Sequence, residues 1–93
     1  MVDINLWEAS ASADQKAAPS TCRVIRLLAR YFRANGGRAT LSPKDITEAT
    51  GVTNPKSCTD RLRKLGWLGG GRCEFVPLMP AQAGENEKAA AMR

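Results

Sequence analysis

Apolar side chains recur at helical spacing in the middle of the chain. Val24, Ile25, Leu27, Leu28, Tyr31 and Phe32 share one broad face, and Arg23, Arg26, Arg30 and Arg33 fall opposite them. Ser20 or Thr21, after Pro19, offers an N-cap, and Asn35-Gly36-Gly37 offers the left-handed stop. The spacing predicts a first helix over this stretch. Arg38-Ala39-Thr40-Leu41 is short enough to pair as a strand. Ser42-Pro43 then opens a second helix, with proline at the first helical position and Asp45 suiting its positive end. Ile46 and Ala49 form its small apolar face, and Gly51 ends it.

A third helix is expected from Thr53-Asn54-Pro55 to about Leu65, with Cys58, Leu62 and Leu65 as its buried stripe and Gly66 as its stop. Trp67-Leu68, Gly69-Gly70-Gly71 and Arg72-Cys73-Glu74-Phe75-Val76 read as two short strands about a glycine turn. The flanks are less patterned. Val2, Ile4 and Leu6 alternate as in a short strand, and the Ala/Ser run to Pro19 reads as a linker. Residues 79–93, Ala-rich and polar, read as a disordered tail. The expected organisation is an N-terminal extension over 1–19, a folded domain over 20–78 and the tail.

Charge sharpens this picture. The chain carries +5 at pH 7. Residues 20–73 hold eleven Lys or Arg against Asp45, Glu48 and Asp60, while both flanks are slightly acidic. A module so basic implies a polyanionic partner. The chemistry available is narrow. Histidine is absent, which removes the commonest general base and a common metal ligand. Cys22, Cys58 and Cys73 form neither a C-x-x-C pair nor an even disulfide set, so they read as three reduced cysteines acting as small hydrophobes. The expectation is no enzyme, no cofactor and no metal. Cys22 beside Arg23 is the nearest approach to an activated thiol. No run of about 18 apolar residues is present, and the first residues lack the basic and apolar regions of a secretory signal. A cytoplasmic protein is expected.

The element order helix, strand, helix, tight turn, helix, hairpin is that of a mainly α winged helix-turn-helix with a small β-hairpin wing. Gly51-Val52-Thr53-Asn54-Pro55, followed by Asp60-Arg61-Leu62-Arg63-Lys64-Leu65-Gly66-Trp67-Leu68, resembles the short winged helix-turn-helix proteins of phage and plasmid genomes. The resemblance spans residues 21–77. It departs from the family pattern at Cys58, where a larger aliphatic residue is usual. It implies that the helix over about 54–66 is a recognition helix for the major groove, with residues 67–76 as the wing.

On that reading Asn54, Lys56, Ser57 and Asp60 are the candidates for base readout. Lys44, Thr53, Arg63, Lys64 and Arg72 are candidates for backbone or wing contacts. Trp67 and Phe75 read as packing residues, and the Arg23/Arg26/Arg30/Arg33 stripe as a solvated face. The expected partner is double-stranded DNA, bound by a repressor-like homodimer with residues 2–7 as candidate subunit contact and no role for a membrane. Two other functions fit the same surface or stripe. One is an architectural, excisionase-like DNA binder. The other is a phage-type protein-interaction module that inhibits a host complex.

Overall fold

The structure, a computed structural model, describes residues 3–79. It is mainly helical, with α1 (Ile4–Asp14), α2 (Pro19–Ala34), α3 (Pro43–Thr50) and α4 (Pro55–Lys64). A small antiparallel sheet holds β1 (Ala39–Thr40), β2 (Leu68–Gly69) and β3 (Glu74–Pro77) in the order β1-β3-β2. Ala39 faces Phe75 across one ladder and Leu68 faces Pro77 across the other. The three helices and the hairpin expected between residues 20 and 77 are all present. The expected tail falls almost wholly on residues 80–93, outside the described residues.

The N-terminal segment differs from its expected strand and linker. Asp3 caps α1 by accepting hydrogen bonds from the Asn5 and Leu6 amides at 2.9 and 3.2 Å. The Ala/Ser run that reads as a linker is helical, because alanine is the strongest helix former. α1 lies along α2 and buries Trp7 and Ala11, one turn apart. The Trp7 ring meets Phe32 edge-to-face at 5.1 Å, and its Nε1 donates to the Trp67 carbonyl at 2.9 Å. Trp67 Nε1 in turn donates to Asp14 at 2.8 Å, and Arg33 donates to Asn5 and pairs with Glu8. Of the apolar set expected to meet a second subunit, Trp7 and Ile4 are engaged within the chain itself. Trp7 is wholly buried and Ile4 packs against the core, which leaves Leu6 exposed. Val2 lies outside the described residues.

One core joins all the elements. Val24, Ile25, Leu28 and Phe32 of α2 form its centre, with Ile46, Val52, Leu62, Trp67 and Phe75 around them. α2 begins one turn's edge earlier than expected: Ala18 occupies the N-cap position and Pro19 the first helical one, where a missing N–H costs nothing. In α3, Ile46 is buried but Ala49 is exposed, and Val52 beyond the turn completes the packing instead.

α3 starts in a full capping box. The Asp45 amide donates to Ser42 Oγ, and the Ser42 amide donates to the Asp45 carboxylate. These hydrogen bonds, the backbone one foremost, hold the Asp45 pKa below the ordinary carboxylate value. A folded pKa below the unfolded one adds stability above the unfolded pKa, about pH 4, and that contribution is lost as pH falls through the folded one. The Ser42 and Asp45 amide resonances are expected to move together on acidification, with a midpoint below that of an unfolded-chain aspartate. NMR titration reads this directly, and a midpoint at or above the unfolded value contradicts it.

Candidate nucleic-acid interface

The turn between α3 and α4 is set by Gly51. Its φ of 75° is a left-handed conformation, and its amide closes α3 on the Thr47 carbonyl. Val52, 3% exposed, drops into the core and fixes how α4 leaves the turn. Pro55 takes the first position of α4 and is itself buried. Asn54 makes no side-chain capping bond; it is exposed, as is Thr53.

The buried face of α4 consists of Pro55, Cys58, Thr59 and Leu62. Leu65, expected in that stripe, is 45% exposed, and Thr59 at 4% takes its place. At about 100° per residue this turns the outward line of the helix to Ser57, Asp60 and Lys64. Lys56 flanks that line on the hairpin side, where it shares a cleft of about 290 Å³ with Arg72, Cys73 and Phe75. Arg61 flanks it on the other side, beside Gln15, Ala17 and Ala18. Arg61 was not among the residues singled out from sequence. Its exposure follows from Pro55 and Thr59 being inside, and the burial of a threonine in place of Leu65 is what disguised it.

Of the nine candidates, seven are exposed on or beside α4 and the hairpin: Thr53, Asn54, Lys56, Ser57, Asp60, Lys64 and Arg72, with Asn54 and Ser57 bordering one cleft and Lys56, Asp60 and Arg72 another. Lys44 is exposed in the first turn of α3, beside Pro43, which lines the same cleft as Lys56. Among the described residues the one ion pair is Arg33–Glu8, and Lys56, Arg61 and Lys64 of α4 are exposed without an ion-pair partner.

Arg63 behaves differently. Its guanidinium turns back onto the hairpin, donating to the carbonyls of Gly71 and of Glu74, the latter at 3.2 Å, and reaching that of Arg72. It stacks over the Phe75 ring at 4.7 Å, and its Nε is buried without a partner. Arg63 therefore ties α4 to the tip of the hairpin and is not free for a backbone contact. Gly70 completes the tip: its φ is 101°, and a Cβ there would meet the Glu74 carbonyl oxygen at 2.5 Å.

Replacing Arg63 with alanine is expected to loosen the hairpin at a cost of about 1–2 kcal/mol. Amide hydrogen exchange should rise across residues 69–74 while α2 stays protected. Lysine should not restore protection, because it lacks the planar guanidinium that stacks over Phe75 while donating to the hairpin carbonyls. Unchanged exchange in the alanine variant would show that the clip holds nothing.

Trp67 and Phe75 are 6% and 3% exposed and pack in the core. Cys58 is buried, and Cys22 and Cys73 are partly so; all three are free thiols. Cys22 Sγ lies 3.1 Å from the Gln15 carbonyl and donates to it. No helix of the described residues is long and apolar enough to cross a membrane. Compared with protein-family models, characterised proteins and solved structures, the chain matches none.

Proposed function

We propose that this chain is a winged helix-turn-helix protein that binds double-stranded DNA sequence-specifically and acts as a transcriptional regulator. One observation carries the reading. α4 is held by a left-handed glycine turn and a buried valine so that an uncovered line of Ser57, Asp60 and Lys64, flanked by Lys56 and Arg61, faces solvent. A helix of about 10–12 Å diameter suits a major groove about 12 Å wide. The helical plan with its three-stranded sheet is compatible with that fold.

In this reading Asn54, Lys56, Ser57 and Asp60, near the start of α4, approach base edges. Lys44, Thr53, Arg61, Lys64 and Arg72 approach phosphates. Arg63 contacts no DNA; it holds the wing at a fixed angle to α4, so that Arg72 and Lys56 meet the duplex together. One recognition helix reads few base pairs, so the reading includes two copies on half-sites about 34 Å apart.

The test is fluorescence anisotropy on a random-sequence duplex, followed by selection of a preferred site from a random pool. Binding that weakens steeply with salt, and a selected site with two-fold symmetry, is the expected result. No binding at 50 mM salt would overturn the reading.

A further inference from the structure

A second cationic surface lies away from α4. Arg23, Arg26 and Arg30 stand at i, i+3 and i+7 on the outer face of α2, which contains no Asp or Glu. The fourth arginine of the stripe, Arg33, is taken up by Glu8 and Asn5 of α1. The other three have no carboxylate partner among the described residues. Like charges at three- and four-residue spacings repel one another, so the ridge works against the helix that bears it. Beside it runs an open groove of about 250 Å³ between α2 and α3, bordered by the three arginines and floored by Leu27, Ala49 and Thr50.

The ridge and the outward line of α4 lie on different helices and border different clefts. The two helices meet at their N-terminal ends, where Pro19, Ser20 and Thr21 share a cleft with Asn54 and Ser57. Leu27 and Ala49 add apolar contact beside the cationic side of the groove, which a phosphate rail does not use. Both features fit an amphipathic helix with glutamates along one edge and small or aliphatic residues beside them.

We infer that the groove between α2 and α3 is a docking site for an acidic amphipathic segment of a partner protein, engaged independently of the α4 surface. The arginines supply steering and register, and Leu27 and Ala49 receive the apolar edge. The inference goes beyond DNA binding and survives its failure.

The probe is a fluorescein-labelled helical peptide with a row of glutamates bordered by leucines, measured by anisotropy and by amide chemical shifts. Saturable binding is expected, with shifts confined to residues 23–30 and 49–50. The triple variant Arg23→Gln, Arg26→Gln, Arg30→Gln should weaken it at least about tenfold while keeping the wild-type circular dichroism and duplex affinity. The peptide should still bind when duplex is saturating. Equal binding by the triple variant, shifts on α4, or displacement by duplex would overturn the inference, as would no peptide binding at all. Loss of duplex affinity in the triple variant would reassign the ridge to nucleic acid. The DNA reading is judged separately, by duplex binding of variants on α4.

Discussion

Replacing Trp7 with alanine is expected to cost about 3–5 kcal/mol and to lower the melting temperature by more than about 10 °C. The side chain is wholly buried, packs edge-to-face on Phe32 in the last turn of α2, and donates its one hydrogen bond to the Trp67 carbonyl. Its removal opens a cavity between α1, α2 and the hairpin and takes one of two hydrogen bonds from the Trp67 carbonyl, which keeps that of the Leu78 amide. A domain of this size has a total stability of only about 5–15 kcal/mol, so one such loss consumes a large share of it. Urea denaturation checks the magnitude. Phenylalanine at position 7 should recover part of the loss by filling volume without the hydrogen bond. A fragment beginning at residue 18, which omits α1 entirely, should show no cooperative transition. An alanine variant within about 1 kcal/mol of the parent would mean that α1 is an accessory to the core.

The second large effect concerns binding. If Lys44, Arg61, Lys64 and Arg72 each neutralise one phosphate, the logarithm of affinity falls with the logarithm of salt at a slope of about −3.6. Between 50 and 200 mM salt that is a loss of about 150-fold. The variant Lys56→Gln, Arg61→Gln, Lys64→Gln keeps two of the four phosphate contacts, so its slope should be about −1.8 and its loss over the same range about 12-fold. All three side chains are exposed and outside the core, so the variant should keep its melting transition. Arg61 is the decisive member. An unchanged slope in Arg61→Gln alone would place the duplex only on the hairpin side of α4. An unchanged slope in the triple variant would remove α4 from the interface.

Much of the fold was legible because α2, α3 and α4 bury an apolar face and end on glycine. A proline opens each of them, so propensity and pattern agree. α1 was not legible. Its two buried residues are Trp7 and Ala11, and alanine in an Ala/Ser run leaves no apolar mark on the pattern. The cue that was present is Asp3, an N-cap type before a run of good helix formers. On α4 the candidate surface was largely legible but rotated. Leu65 is the more hydrophobic residue, yet it sits at the C-cap, beyond the last turn that touches the core. Thr59 is buried because its hydroxyl donates back to the Lys56 carbonyl at 3.1 Å, which satisfies it locally. The role of Arg63 depends on carbonyls eight to eleven residues away across a turn, a proximity that no helical spacing encodes.

The Trp67 carbonyl accepts from Trp7 Nε1 and from the Leu78 amide, while Trp67 Nε1 reaches Asp14. The two ends of the described chain thus close on one another through a single residue. A chain emerging from the ribosome presents α1 early, but the surface that receives Trp7 arrives some sixty residues later. Until then the indole has only α2 to shelter it. Productive folding therefore awaits the hairpin strand by which the wing is built. A chain cut before residue 67 keeps its helices but lacks the carbonyl that receives Trp7, so it is expected to expose part of its apolar core.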